Sequence, residues 1–352
     1  MKDIETYQSI DPDDPSTTSV TQEDLIAVMR LTRDQQKAAK LLNRAEAKYL
    51  VDMYYNLQEQ RIRANAQVNS AQEEPNELIS WMYELYKTLE GDMKHALGKY
   101  AEGSEVGQWA LSVTGIGPVI AAGLLCHIDV DIAKTSGDVW RYAGYDPTSK
   151  WLGREGSEKL VASIVGKATL LTHEEIQQIT LASARNAETF LSHLKLKDEK
   201  AKRSDVIALL SKRPWNASLK RLGWLIGQSF VKSSNRESSY YGPLFKNRKM
   251  YESSRNERFL YRDQAEAMLQ SKKFVNETIA KTFYEMGMLP PAHIQRRCER
   301  WTVKIFLSHY FQVAFETKHH LPVEKPWIML TQPTVHTHYI PAPNYTPLTA
   351  GD

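Results

Sequence analysis

Cysteine, long apolar runs and strand-like alternation are all scarce in this sequence, and each shortage excludes a class of protein. Only two cysteines, Cys126 and Cys298, occur in 352 residues. They lie far apart inside apolar, helically periodic segments, so neither a zinc quartet nor a disulfide framework can be assembled, and buried free thiols are expected. No stretch approaches the roughly 18 to 20 apolar residues that a spanning helix needs. The acidic start, Met1-Lys2-Asp3-Ile4-Glu5, is the opposite of a signal peptide, so the expectation is a cytoplasmic protein with no membrane partner. No segment alternates apolar and polar residues as a half-buried strand does, and no internal repeat is evident, which predicts a mainly α fold.

Charge of one sign is also lacking overall, since a formal net charge of +3 is too small to identify a partner. Its distribution says more. Seven acids in the first thirty residues face only Lys2 and Arg30, and residues 1–20 are expected to form an acidic disordered leader. Between residues 212 and 262 the balance reverses, with twelve Lys and Arg against Glu237, Glu252 and Glu257.

Along the chain, residues 21–69 carry apolar positions at helical spacing, among them Leu25, Met29, Leu41, Leu50, Met53 and Leu57, with no Gly or Pro. This predicts a long helix, and residues 21–100 as a whole predict a helical hairpin or coiled coil. A break around Pro75 leaves Asn76 placed to cap the second helix, which would pack antiparallel on the first. Residues 158–211 form a helical insertion broken at Gly166, with the charged run 195–203 as a solvated linker or helix face. Helices are predicted again over 216–231, 262–286 and 294–316, with Pro290 and Pro291 parting the last two. Residues 263–321 are thus C-terminal helices, and residues 322–352 a Pro-rich extended tail.

The most informative local feature is the turn Thr114-Gly115-Ile116-Gly117. Two glycines let the backbone bend sharply and approach another molecule without a side chain in the way, and Pro118 suits a first helical position. The pattern is helix, tight turn, helix, like a helix-hairpin-helix. Its amides can hold a phosphate, which would position a duplex without reading its sequence. A plain helix–helix corner with no ligand explains the same residues. In the basic block, Tyr240, Tyr241, Phe245, Tyr251 and Tyr261 interleave the cations, as expected where phosphates are neutralised and unstacked bases meet rings. The alternative there is an ordinary solvated basic surface.

Set in order, the turn, then Trp140-Arg141-Tyr142-Ala143-Gly144-Tyr145-Asp146-Pro147, then Arg213-Pro214-Trp215-Asn216-Ala217-Ser218-Leu219-Lys220-Arg221 resembles the transposase domain of the DEDD insertion-sequence transposases, the bridge-RNA-guided insertion-sequence family one-hundred-and-ten. That domain has a Pro-Gly-Ile-Gly turn, an apolar helix, a Tyr-Ala-Gly-Leu-x-Pro segment and an Asn- and basic-rich helix start. The resemblance covers residues 108–245 apart from the insertion, and marks 101–262 as a transposase-like DNA-binding domain. It implies a protein of a mobile element or phage that takes part in recombination, with DNA as partner, a structured RNA or a separate nuclease subunit as further partners, and a nucleoid location. The family's RuvC-like half with its four metal-binding carboxylates has no counterpart here, so no metal and no cofactor is expected.

The resemblance also implies a nucleophilic serine in the segment after Pro147, where Ser149 is the positional match, although the family's Ser-Gly pair is not present. A serine attacking a phosphodiester would form a phosphoseryl link, with Lys150 or Arg154 offsetting the phosphorane charge. Thr148 and Ser149 serve equally well to stabilise a turn. The candidate DNA-binding set is therefore Thr114, Gly115, Ile116, Gly117, Lys150, Arg154, Lys212, Arg213, Asn216, Lys220 and Arg221. His336 and His338, with His319 and His320, lack a third ligand at clear spacing, and His309 is expected to be a satisfied core residue. Three functions stand open: a strand-transferring transposase, a non-catalytic DNA-binding recombination accessory, and a helical structural or assembly protein. The helical N-terminal third makes a homo-oligomer the expected state.

Overall fold

The computed structural model describes residues 31–70, 76–196, 199–271, 274, 276–324 and 339–348. The expected acidic leader and His336 and His338 fall outside them. The described chain is mainly helical, as its periodicity predicts, with fifteen helices and a single pair of two-residue strands.

Capping residues set most of the helix starts. Thr32 and Gln35 form a capping box at α1 (Arg33–Ala39). Lys40 to Asn43 interrupt the predicted long helix, and the Asn43 side chain accepts from Ala45 and Glu46 amides to start α2 (Arg44–Ser70). Asn76 accepts from the Leu78 amide and begins α3 (Glu77–Glu102). The two long helices pair antiparallel: Arg61 and Gln58 on α2 both donate to Glu90 on α3. Near its base the hairpin buries Ala47, Val51, Tyr54 and Leu97 against α5 (Pro118–His127). Its far end leaves Ile62, Leu78 and Trp81 exposed.

Ser104 caps α4 (Glu105–Ser112), and the glycine turn joins it to α5. A capping box of Thr135 and Asp138 starts α6 (Ser136–Tyr142). Next comes the insertion: α7 (Gly153–Val165), β1 (Leu170–Leu171), α8 (His173–Ala182), α9 (Ala187–Ser192), β2 (Ala201–Lys202) and α10 (Arg203–Leu210). Val161, Leu171, Ile176, Ile179, Phe190, Val206 and Leu210 give it a core of its own, apart from the central one. Its strands pair antiparallel, Leu170 opposite Lys202 and Leu171 opposite Ala201. They add one short strand pair to the mainly α fold and place a strand at Ala201–Lys202 where a solvated linker or helix face was expected over 195–203: two residues are too few for alternation to register.

The remaining helices are α11 (Ala217–Lys232), α12 (Tyr241–Glu257), α13 (Arg262–Ser271), α14 (Ile279–Glu285) and α15 (Pro291–His319). The helix predicted over 262–286 is in fact two, because Thr278 caps a fresh start at α14 by accepting from the Lys281 amide. Helix α12 was not foreseen, and its buried Tyr241, Phe245, Glu252 and Asn256 fall on one helical face. Those aromatics are core, contrary to the expectation that they meet bases: Phe230 stacks on Tyr241 at 4.5 Å between centroids, and Phe306 packs edge-on against both. Of the five rings named in the basic block, Tyr251 alone is more than half exposed.

Helix α15 is the spine, burying Ile294, Cys298, Val303, Phe306, Leu307, Tyr310, Phe311 and Val313. Full burial of each such side chain stabilises by about 1.5–3 kcal/mol. Both thiols are free and buried as expected, and burial pushes each up to about 11.

The tail straps this spine. Trp109 donates its indole N–H to the Pro343 carbonyl at 2.8 Å, and Tyr240 donates its hydroxyl to Pro341 at 2.6 Å. The buried Glu316 carboxylate has no cation partner among the described residues; it accepts from Gln312, the Val323 amide, the Tyr345 hydroxyl and the Leu348 amide. His309 is the satisfied core residue expected. Because the Ile340 carbonyl at 2.8 Å can only accept, Nε2 carries the proton and Nδ1 accepts from the Tyr241 hydroxyl at 2.7 Å.

Two predictions follow from the strap. A chain ended after residue 338 leaves Trp109 and Tyr240 without their carbonyl acceptors and Glu316 without the Tyr345 and Leu348 donors, at about 1–3 kcal/mol for each buried group, so its thermal midpoint should fall by about 5 °C or more in calorimetry. Burial lowers His309 from 6.5 to about 4, so between those values the unfolded chain binds a proton the folded chain refuses. Stability should therefore be lost as pH falls through that window, by up to about 3 kcal/mol. Urea titrations at pH 7 and pH 4.5 check this, and His309→Gln should flatten the dependence.

Candidate nucleic-acid interface

Helix α4 ends at Val113, and the chain reverses through a turn closed by the Ile116 amide on the Val113 carbonyl at 2.9 Å. Gly115, third in the turn, has φ +102°, the left-handed backbone that a type II turn requires there. A Cβ on it would stand 3.1 Å from both Phe230 Cδ1 and Ser233 Oγ. The turn is tied to the far end of α11 by Ser229, whose hydroxyl donates to the Gly115 carbonyl, and by the 3.0 Å contact of the Thr114 and Ser238 hydroxyls. Ile116 is buried in the core. It anchors the turn and offers no side chain to a ligand.

Gly117 differs from Gly115. Its φ is −96° and a Cβ there would meet nothing within 4 Å. It is the N-cap of α5, supplies no capping side chain, and is followed by Pro118. The Val119 and Ile120 amides of the first turn thus lack intrahelical acceptors and carry the positive end of the helix dipole.

This helix start floors a groove of about 490 Å³, walled by Tyr54, Tyr55 and Gln58 of α2, Lys94 of α3, and Leu225, Gln228 and Lys232 of α11, with Arg236 beyond. Arg221 stands at the edge, outside the lining, with its guanidinium 4.5 Å above the Tyr55 ring. No carboxylate lines the groove. None of Lys94, Arg221, Lys232 and Arg236 enters an ion pair among the described residues. Burial pushes the Tyr54 and Tyr55 hydroxyls up to about 12, so both stay neutral; that of Tyr54 is bonded to Glu90 and Gln58, which leaves Tyr55 as a donor. The Gln228 Nε2 is buried with no hydrogen-bond partner. The groove therefore offers donors and positive charge, suited to an anion. A smaller hollow of about 220 Å³ on the other flank of the turn contains Glu237 and no cation, which directs an anion to the groove.

The structure divides the residues singled out in the sequence into three places. Gly115, Ile116 and Gly117 line the groove, Thr114 lines the smaller hollow on the other flank, and Arg221 lies over Tyr55 at the groove's edge. Asn216 caps the opposite end of α11, accepting from the Leu219 amide while its Nδ2 donates to the Tyr142 hydroxyl at 2.9 Å; Lys212 is exposed just before it, Arg213 lies over Trp151, and Lys220 over Trp215. Those two ends are about 24 Å apart at the helical rise. Lys150 and Arg154 sit at the entrance to the insertion, where Arg154 pairs with Glu158.

Ser149 closes a turn begun by Asp146: the Asp146 carboxylate accepts from both the amide and the hydroxyl of Thr148, and the Ser149 amide donates to the Asp146 carbonyl at 3.3 Å. No histidine or carboxylate is hydrogen-bonded to the Ser149 hydroxyl among the described residues. Nor do the described residues bring three His, Cys, Asp or Glu side chains together as a metal site. Sequence reasoning missed Lys94, Gln58, Tyr55 and Gln228, which the fold alone carries to the turn. Lys232 and Arg236 were visible only as part of the basic block.

No protein-family model matches this chain, and no curated protein or solved structure is similar to it.

The two glycines should separate on substitution. Gly115→Ala forces a strained backbone into a filled space and should destabilise by about 1–3 kcal/mol. Gly117→Ala should cost less than about 1 kcal/mol, as an N-cap change in open space. Chemical denaturation of both variants measures the difference.

Proposed function

We propose that this chain is a nucleic-acid-binding protein that holds the sugar-phosphate backbone of DNA in the groove between the α2–α3 hairpin and α11. The observation that carries this reading is the open start of α5 at Gly117 on the floor of a groove with four cations around it, none of them in an ion pair and no carboxylate in the lining among the described residues. A phosphate is the ligand that such amides and cations suit together. The ordered resemblance of the turn, of residues 142–147 and of residues 213–221 to insertion-sequence transposases supports DNA as the form of nucleic acid. It also supports a role in recombination or transposition.

The role proposed is that of a binding partner in recombination. Among the described residues no base is bonded to the Ser149 hydroxyl, and its turn bonds account for its position. A structured RNA and a separate nuclease subunit rest on the resemblance alone, and so does a nucleoid location. Among the described residues no helix is long and apolar enough to cross a membrane. A second copy of the chain is supported by the exposed Ile62, Leu78 and Trp81 at the end of the hairpin, apolar surface of the kind that marks contact with another chain.

With four cations releasing counterions, affinity for duplex DNA should fall about a hundredfold between about 50 and 200 mM salt. The double variant Lys232→Ala, Arg236→Ala should lower the logarithmic salt slope by about two. Fluorescence anisotropy with a labelled duplex measures both, and binding that ignores salt, or no binding, would remove the proposal. Ser149→Ala should bind as the unchanged chain does, and no covalent protein–DNA adduct should form with either. An adduct that depends on Ser149 would make the protein an enzyme.

A further inference from the structure

The start of α11 carries a second group of cations. Arg213 precedes the helix, Lys220 sits in its second turn, and Arg300 reaches in from α15. None of the three enters an ion pair among the described residues. They lie close enough to repel one another: Lys220 is held below the ordinary lysine range by burial and then by Arg213 and Arg300. Arg300 is likewise lowered, by burial first and by Arg297 and Arg296 against Tyr145 and Glu299.

Indole rings alternate with these charges. The Lys220 ammonium is 3.7 Å from the centre of the Trp215 ring, and the Arg213 guanidinium is 4.9 Å from that of Trp151. Trp224, one turn beyond Lys220, lies under Arg296, which is one turn from Arg300 on α15. Trp151 and Trp224 are 50% and 48% exposed, far more than a tryptophan that merely packs. Trp151 is nonetheless fixed, because its indole N–H donates to the Ser211 carbonyl at 2.8 Å.

We infer that this row binds an unpaired nucleotide of a nucleic-acid strand, its phosphate among Arg213, Lys220 and Arg300 and its base against the open face of Trp151. A duplex presents phosphates but keeps its base faces stacked, so it cannot use fixed, exposed indoles. An unpaired strand offers both phosphate and π-face, and any base will serve. The cluster's mutual repulsion is relieved when an anion enters. This inference rests on the nucleic-acid reading of the chain but not on the groove, which lies at the other end of α11.

The test uses the full chain, tryptophan fluorescence and an oligothymidylate of about ten nucleotides, beside an anisotropy titration with duplex DNA. Oligothymidylate should quench the unchanged protein. Trp151→Ala should weaken strand binding about tenfold and leave duplex affinity unchanged, whereas Trp151→Phe should retain most of it. Because loss of the Ser211 bond could loosen the insertion, Arg300→Ala on α15 supplies a second variant, expected to weaken strand binding and its salt slope alone. The inference is overturned if Trp151→Ala and Arg300→Ala bind the strand as the unchanged protein does, or if they weaken strand and duplex equally. Duplex binding without quenching by the strand defeats the row and spares the groove. Quenching without duplex binding does the reverse, and no binding of either defeats both.

Discussion

The structure depends on the seating of α11 between α5 and α15. Against α5, Leu222 fills the space over Gly123, where a Cβ would stand 2.8 Å from its Cδ2. On the other side, Gly227 receives Val303 of α15. With two sides buried, the third is left to solvent, and it carries Arg221, Leu225, Gln228 and Lys232 in one stripe at successive turns. The same packing runs α5 antiparallel to α11, so that the open start of α5 meets the last turn of α11 and its last turn meets Asn216. One helix thereby organises two distant cationic sites, and a change in its seating would disturb both.

Charge is treated differently on the two sides of the spine. Between α12 and α15, the fully buried Glu252 is clasped by Arg248, Arg297 and the Tyr261 hydroxyl. Burial alone would raise its carboxyl, and those partners carry it below the ordinary range. Buried Glu316 is satisfied by four neutral donors, three of them from the tail. These two buried carboxylates are thus matched with partners, as burial demands. The cations at both ends of α11 lack carboxylates although acids are plentiful elsewhere in the chain. Exposed cations are cheap to leave unpaired, but those half-covered beside like charges are not.

The helices were legible where periodicity and a cap coincide. Asn76, Pro118 and Pro290–Pro291 each mark the boundary that the structure shows, and the helix–turn–helix around Gly115 follows from its glycines. Helix α12 was hidden because only one narrow face is buried and the remainder is basic and polar, so composition drew attention to its charge instead of its period. The tail was legible as extended but not as a strap. Its bonds to Trp109 and His309 span up to 234 residues of sequence, and no local pattern encodes them.

The interface was legible to a similar degree. The turn stands out because two glycines and a proline in sequence are unusual, yet their roles differ in a way spacing cannot reveal: Gly115 answers to a positive φ and a crowded neighbour, Gly117 to open space. The groove's other wall comes from the α2–α3 hairpin, some sixty residues upstream of the turn at Tyr55, where an ordinary helical tyrosine and glutamine carry no signal. Cations in the basic block were divided by helical geometry: a rise of about 1.5 Å per residue separates Lys220 from Lys232 by about 18 Å. A single ligand touching both ends must therefore be extended, and a nucleic-acid strand, with a phosphate about every 6–7 Å when unstacked, meets that requirement where a compact anion does not.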